Sequence, residues 1–173
     1  GLEYSGGTKV RHFAEILYNE VGIEKIKGAV KKPAEYNVAA FYGCHFLKPS
    51  KLKQLDDPEN PKIIDELIEA VGAKSVLRKQ KAKPICCGAG GGLRSQFGDA
   101  ALKFTKTNLE IMKNANAEMI VDVCPFCHLQ FDSGQKDSGY AFPVLHLSQL
   151  YGIAMGMDVK NLGINAHITP VKI

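Results

Sequence analysis

The chain has 173 residues, 45% of them apolar and 23% charged, with a net charge of +4 from 22 basic and 18 acidic side chains. That length and composition suit one domain with a real core, and they exclude disorder over the whole length. No stretch approaches the ~18 consecutive apolar residues of a membrane span, no signal peptide opens the chain, and no basic motif interleaved with aromatics argues for nucleic acid.

The opening Gly-Leu-Glu-Tyr-Ser-Gly-Gly-Thr does not read as a natural translation start, so residues are expected upstream of Gly1. Thr8 is the expected N-cap of a first helix, whose apolar side is Val10, Phe13, Ala14, Leu17 and Val21. Lys31-Lys32-Pro33 then breaks the chain, and Asn37 to Tyr42 reads as a buried strand ending at Gly43-Cys44. A turn-rich stretch with Pro49, Asp56, Asp57, Pro58 and Pro61 follows. Asn60 and Pro61 are the expected N-cap and N1 of a helix that buries Ile63, Ile64, Leu67, Ile68 and Val71 and stops at Gly72.

Ser75 to Leu77 is a short predicted strand, and Cys86-Cys87-Gly88-Ala89-Gly90-Gly91-Gly92 a loop. A long helix is expected from Asp99 to Asn114 with Ala101, Leu102, Thr105, Leu109 and Met112 inward. Glu118 to Val123 is a second apolar strand that ends at Cys124, Phe142 to Leu145 is a third, and a helix starts near Ser148. Residues 1–173 read as a single domain: an N-terminal helical segment (1–36), a cysteine-rich core (37–157) and a tail (158–173).

Helices that alternate with short apolar strands predict an α/β fold, a mainly parallel sheet flanked by helices. Cys44 and Cys124 both stand just past the C-terminal ends of predicted strands, the edge where ligands gather in such sheets. The cysteine loops are therefore expected to converge at one sheet edge. Two basic clusters, Lys25, Lys27, Lys31 and Lys32, then Lys74, Arg78, Lys79, Lys81 and Lys83, read as solvated surface or as an attraction for acidic partners.

All five cysteines fall into one pattern: Cys44, the adjacent pair Cys86-Cys87, and Cys124-Pro125-Phe126-Cys127. An odd number with no secretory segment argues against a disulfide framework, and it fits a cytoplasmic protein with a metal or redox role. Thiolates are soft ligands that select iron–sulfur clusters, zinc or copper(I). Adjacent cysteines rarely serve one tetrahedral ion, and five thiols exceed the four that zinc needs. Glycines after the pair, Gly88, Gly90 and Gly91 among them, let backbone N–H groups turn toward bound sulfide. A phosphate nest is the rival for that run, but it lacks the Gly-Lys-Ser/Thr ending of a phosphate loop.

Gly43-Cys44-His45, Cys86-Cys87-Gly88 and Cys124-Pro125-Phe126-Cys127 together resemble the cysteine-rich CCG domain, which occurs twice in the B subunit of heterodisulfide reductases and also in succinate dehydrogenase-like, glycolate oxidase and lactate-utilisation proteins. The resemblance runs from about Val38 to Met157, and Leu147–Met157 is similar to the end of that B subunit. It implies a noncubane 4Fe-4S cluster held by Cys44, Cys86, Cys87, Cys124 and Cys127, in an oxidoreductase that splits the disulfide between coenzymes M and B, as in methanogenesis. The family uses two such sets facing each other. One set here resembles the C-terminal half of the B subunit, which is incomplete alone and needs other subunits of a heterodisulfide reductase-like complex. Some relatives hold Zn in the second domain, so Zn stays open.

Other readings use the same residues. Cys124-Pro125-Phe126-Cys127-His128 matches the c-type haem signature, but haem attachment leaves three cysteines without a role. A glutaredoxin-like dithiol with a facing Pro143 leaves the same three idle, and that proline follows too soon. A structural zinc site makes the chain a scaffold that docks a redox partner. Two roles fit His45: a proton donor to a leaving thiolate in the substrate cleft, or a hydrogen bond that orients its loop. The second role is favoured for His128, and His12, His146 and His167 read as helix or surface histidines. Arg94 is placed to offset cluster charge or hold a substrate sulfonate, with a surface salt bridge as the alternative.

Overall fold

A computed structural model describes residues 1–78, 85–136 and 138–172 of the chain. Lys79, Lys81 and Lys83 of the second basic cluster lie outside the described residues. The sheet is parallel throughout and has four strands, β1 (Asn37–Phe41), β2 (Lys74–Ser75), β3 (Met119–Asp122) and β4 (Val144–His146), in the order β2-β1-β3-β4. In register, Phe41 of β1 pairs with Asp122 of β3, and Asp122 pairs with His146 of β4. Parallel neighbours require crossovers, which are helical here.

The helices are α1 (Phe13–Ile16), running into a π-helical turn at Leu17–Val21, then α2 (Ile23–Ala29), α3 (Cys44–Leu47), α4 (Ser50–Lys53) and α5 (Ile63–Ala70). They continue with α6 (Leu93–Gln96), α7 (Gly98–Asn114), α8 (Pro125–Gly134) and α9 (Leu147–Ala154), before short 3-10 turns at Val159–Leu162 and Ile164–Ala166. Strand residues alternate between two cores, as a two-residue period demands. Val38, Ala40, Met119, Val121 and Leu145 pack with α5 and α9 on one face. Ala39, Phe41, Ile120 and Val144 face Leu109 and Met112 of α7 and Phe131 of α8 on the other.

The predicted strands are present with ends shifted by a residue or two. The expected inward residues of α5 are all buried, and Gly72 follows at φ +90°. Three helix starts differ. The first helix begins at Phe13, because the His12 imidazole accepts from the Ala14 N–H at 3.1 Å while Glu15 accepts from the His12 N–H. Thr8 and Val10 lie upstream in an exposed segment. Asn60 and Pro61 each fall two residues short of the observed N-cap and N1, Lys62 and Ile63, and the Asp56 carboxylate meets the first free donors of α5, Lys62 N–H at 2.8 Å and Ile63 N–H at 2.7 Å. His146 caps α9 from further back than Ser148. Within α7, Leu102 is 38% exposed, and Asn108 is fully buried instead. The first core also takes in α2, which sequence periodicity missed. The tail is tied back where Asp132 accepts from the Ile168 and Thr169 N–H groups at 2.8 and 2.7 Å.

Candidate metal centre

Neighbouring parallel strands β1 and β3 deliver their chain ends to the same side of the sheet. After β1, Gly43 at φ +72° turns the chain so that Cys44 is the first residue of α3. After β3, Cys124 is the N-cap of α8 and Cys127 lies in its first turn. The two loops touch at Gly43, where a Cβ would stand 2.9 Å from Cys124 Cβ, 3.7 Å from its sulfur and 3.8 Å from Cys127 sulfur. Only glycine fits both the positive φ and the approach.

The adjacent pair comes from the loop before α6, and α7 holds that loop with two buried polar side chains. Asn108 Nδ2 donates to Cys86 O at 3.0 Å while its Oδ1 accepts from Ile85 N–H at 2.9 Å. Thr105 Oγ1 lies 3.1 Å from Cys87 O. The Gly88 N–H donates to Cys86 sulfur and the Ala89 N–H to Cys87 sulfur, each at 3.4 Å. Gly88 is buried at φ +99°, where a Cβ would strike Ala101 O at 2.5 Å, whereas Gly90 and Gly91 form the exposed turn into α6.

All five thiols are free. They lie near one another, close enough to influence each other: Cys86 acts on Cys44 and Cys87, Cys127 on Cys87, and Cys124 on Cys127. Cys44 and Cys86 are exposed, Cys124 is half-buried, and Cys87 and Cys127 are buried. The neighbouring Cys127 thiol, with the Ala89 N–H, holds the Cys87 thiol down to about 6, while Cys87 and burial push Cys127 up. Burial, then the nearby Cys86 and Cys87 charges, raise Cys44. Among the described residues, no three His, Cys, Asp or Glu side chains stand ready-made about one ion. The donor set itself, five soft sulfurs with two backbone N–H groups already directed at sulfur, suits a cluster of several irons.

An open cleft of about 410 Å³ begins at this centre, with Cys44 and Cys86 on its wall beside Tyr42, Leu47, Leu77 and Ile85. His45 is exposed on α3. Arg94 does not run along the surface to a carboxylate: its Nη1 donates to Gln130 Oε1 at 2.7 Å and Ser133 Oγ at 3.0 Å. His128 Nδ1 sits 3.1 Å from Asp122, a fully buried carboxylate raised by burial, and the hydrogen bond to Asp122 raises His128 in turn. His12 and His146 are helix caps, and His167 lies edge-on to His128 with ring centres 4.9 Å apart. Sequence patterns do not mark Thr105, Asn108 and Gln130 as parts of the site. Their signal is polar residues at helix positions that point inward.

The cysteine-rich (CCG) domain family matches residues 38–132, more than half of the chain. The chain belongs to this family. The CCG match spans both strand ends and all five cysteines. Over 170 residues the chain is 46% identical to the B subunit of the ferredoxin:CoB-CoM heterodisulfide reductase of Methanosarcina mazei, covering 95% of this chain and 56% of that protein. It is 33% identical to the 8-methylmenaquinol:fumarate reductase membrane anchor subunit of Wolinella succinogenes, covering 96% of this chain and 59% of that one. The chain thus spans a little over half the length of these curated relatives. A crystal structure of a hypothetical protein from Helicobacter pylori shares the fold, with a TM-score of 0.56 at 16% identity over 87% of this chain and 28% of that chain. No helix among the described residues is long and apolar enough to cross a membrane.

Proposed function

We propose that this CCG domain is the iron–sulfur part of a heterodisulfide reductase-type redox subunit, and that it delivers electrons to a disulfide of the CoM-S-S-CoB type. Its ligands are Cys44, Cys86, Cys87, Cys124 and Cys127, holding a 4Fe-4S cluster of the noncubane type. The observation that carries the reading is the meeting of the two strand-end cysteine loops at Gly43, with backbone N–H groups directed at the sulfurs of Cys86 and Cys87. When bound, the cluster would pass electrons one at a time from a reduced partner subunit; cleavage of R–S–S–R′ to two thiols takes two such electrons and two protons.

The chain's own side chains do the rest. Exposed Cys44 and Cys86 place the centre at the cleft wall, and Leu47, Leu77 and Ile85 keep water off a disulfide bound there. His45, beside Cys44 on the exposed turn, is the proton donor to a departing thiolate. Arg94 acts on the centre from behind rather than on the substrate. The glutaredoxin-like alternative would use Cys124 as its attacking thiol, and it leaves Cys44, Cys86 and Cys87 without a role. Its relatives are named as subunits of reductases, which supports partner subunits.

Anaerobic reconstitution followed by iron, sulfide and zinc analysis tests the reading. About four irons and four sulfides per chain, with an EPR signal on reduction, are expected. Stoichiometric zinc without sulfide would overturn the redox role and leave a zinc-bound scaffold.

A further inference from the structure

A line of hydrogen bonds runs from the surface cation Arg94 to the peptide between Cys87 and Gly88. Arg94 Nη1 donates to Gln130 Oε1 at 2.7 Å, Gln130 Nε2 donates to Thr105 Oγ1 at 2.7 Å, and Thr105 Oγ1 is 3.1 Å from Cys87 O. Chemistry fixes the direction. Arginine has only donors, so the Gln130 oxygen must face it and the Gln130 NH₂ must face Thr105. The Thr105 oxygen is then an acceptor from Gln130, and its own proton goes to a carbonyl. Two carbonyls lie at 3.1 Å, Cys87 O and Ala101 O, and Ala101 O already belongs to the ladder of α7. Gln130 and Thr105 are buried, at 1% and 0% exposure, so water does not screen the line.

The other end of the same peptide unit is the Gly88 N–H, which donates to Cys86 sulfur at 3.4 Å. A hydrogen bond accepted at the peptide oxygen polarises the amide and strengthens its N–H as a donor. Stronger donors on ligand sulfur stabilise the more negative, reduced state of an iron–sulfur centre. We infer that Arg94, through Gln130 and Thr105, is a positioning residue that raises the reduction potential of the centre by polarising the Cys87–Gly88 peptide against Cys86. This rests on the cluster assignment above. It gives Arg94 a role through the protein interior, not through a substrate sulfonate.

The test is a two-by-two set of variants, Arg94→Gln, Thr105→Val and both together, with Thr105→Ser as the conservative control. Iron and sulfide are assayed first; a wild-type chain without them sinks the cluster reading and not the relay. In loaded protein, redox titration followed by EPR should give a more negative midpoint for Thr105→Val and a smaller shift of the same sign for Arg94→Gln. Thr105→Ser should restore the wild-type value. In the double variant, Arg94→Gln should add nothing to Thr105→Val, because the line is already cut. In metal-free, nitrogen-15-labelled chain, the Gly88 amide proton should move upfield in the same order. Additive midpoint shifts would mean that Arg94 acts by bare charge and would overturn the relay. So would an unmoved Gly88 amide in Thr105→Val, or an unmoved midpoint in either single variant at full iron content.

Discussion

The two faces of the sheet are built from the same four strands and packed by different rules. On one, Val38, Ala40, Met119, Val121 and Leu145 meet Ile64, Leu67 and Ile68 of α5 and Leu150 of α9, all deeply buried and apolar. On the other, the helices α7 and α8 bring buried Thr105, Asn108, Gln130 and Cys127, and the loop before α6 brings Cys87, in among Leu109, Met112 and Phe131. Buried polar groups cost free energy unless they are bonded. Here Thr105, Asn108 and Gln130 bond one another or the cysteine loop. The apolar face therefore stabilises the sheet in the ordinary way, while the polar one fixes the loop that carries the adjacent cysteines.

The sharpest way to break this contrast is at its extremes. Cys87→Ser, on the polar face, is expected to abolish iron and sulfide loading after anaerobic reconstitution; a variant that still holds the wild-type content removes Cys87 from the ligand set. Leu67→Ala, on the apolar face, is expected to lower unfolding free energy in urea by about 2–5 kcal/mol with the iron content of the folded chain unchanged. Loss of metal in Leu67→Ala would show that the two faces are not separable. Gly43→Ala lies at the junction. It forces a side chain at φ +72° to within 2.9 Å of Cys124 Cβ, so it should cost roughly 1–3 kcal/mol and lower metal content together, seen in paired urea and iron measurements.

The same contrast explains what could be read from the sequence. The strands β1 and β3 and the helix α5 follow clean apolar patterns, so their placement, and the position of Cys44 and Cys124 past strand ends, were legible. The helix α8 was not, because its buried positions are Cys127, Gln130, Phe131, Asp132 and Gly134, a set with almost no apolar period. Their reasons for burial lie elsewhere in the chain: Arg94 and Thr105 for Gln130, Ile168 and Thr169 for Asp132. In α7, Asn108 falls three residues after Thr105 on the inward side, a polar pair that a count of apolar residues passes over. Thr8 looked the better cap by residue type, yet His12 caps the helix with its Nε2 also 3.1 Å from Val123 O, a tertiary contact no local pattern contains.

A smaller effect joins the two faces through one carboxylate. Asp56 accepts from Lys62 and Ile63 N–H, capping α5 of the apolar face, and from Asp57 N–H, which shapes the turn before it. That turn places Pro58, Asn60 and Pro61 on the wall of the cleft that Cys44 and Cys86 also line. Asp56→Ala removes the cap and should cost about 1 kcal/mol in urea unfolding, and Asp56→Asn, which keeps an acceptor, should recover most of it. Because no cysteine bonds to this turn through Asp56, metal content should hold in both variants. An Asp56→Ala chain that loses iron while losing little stability would mean that the cleft wall, and not α7 alone, holds the cysteine loop in place.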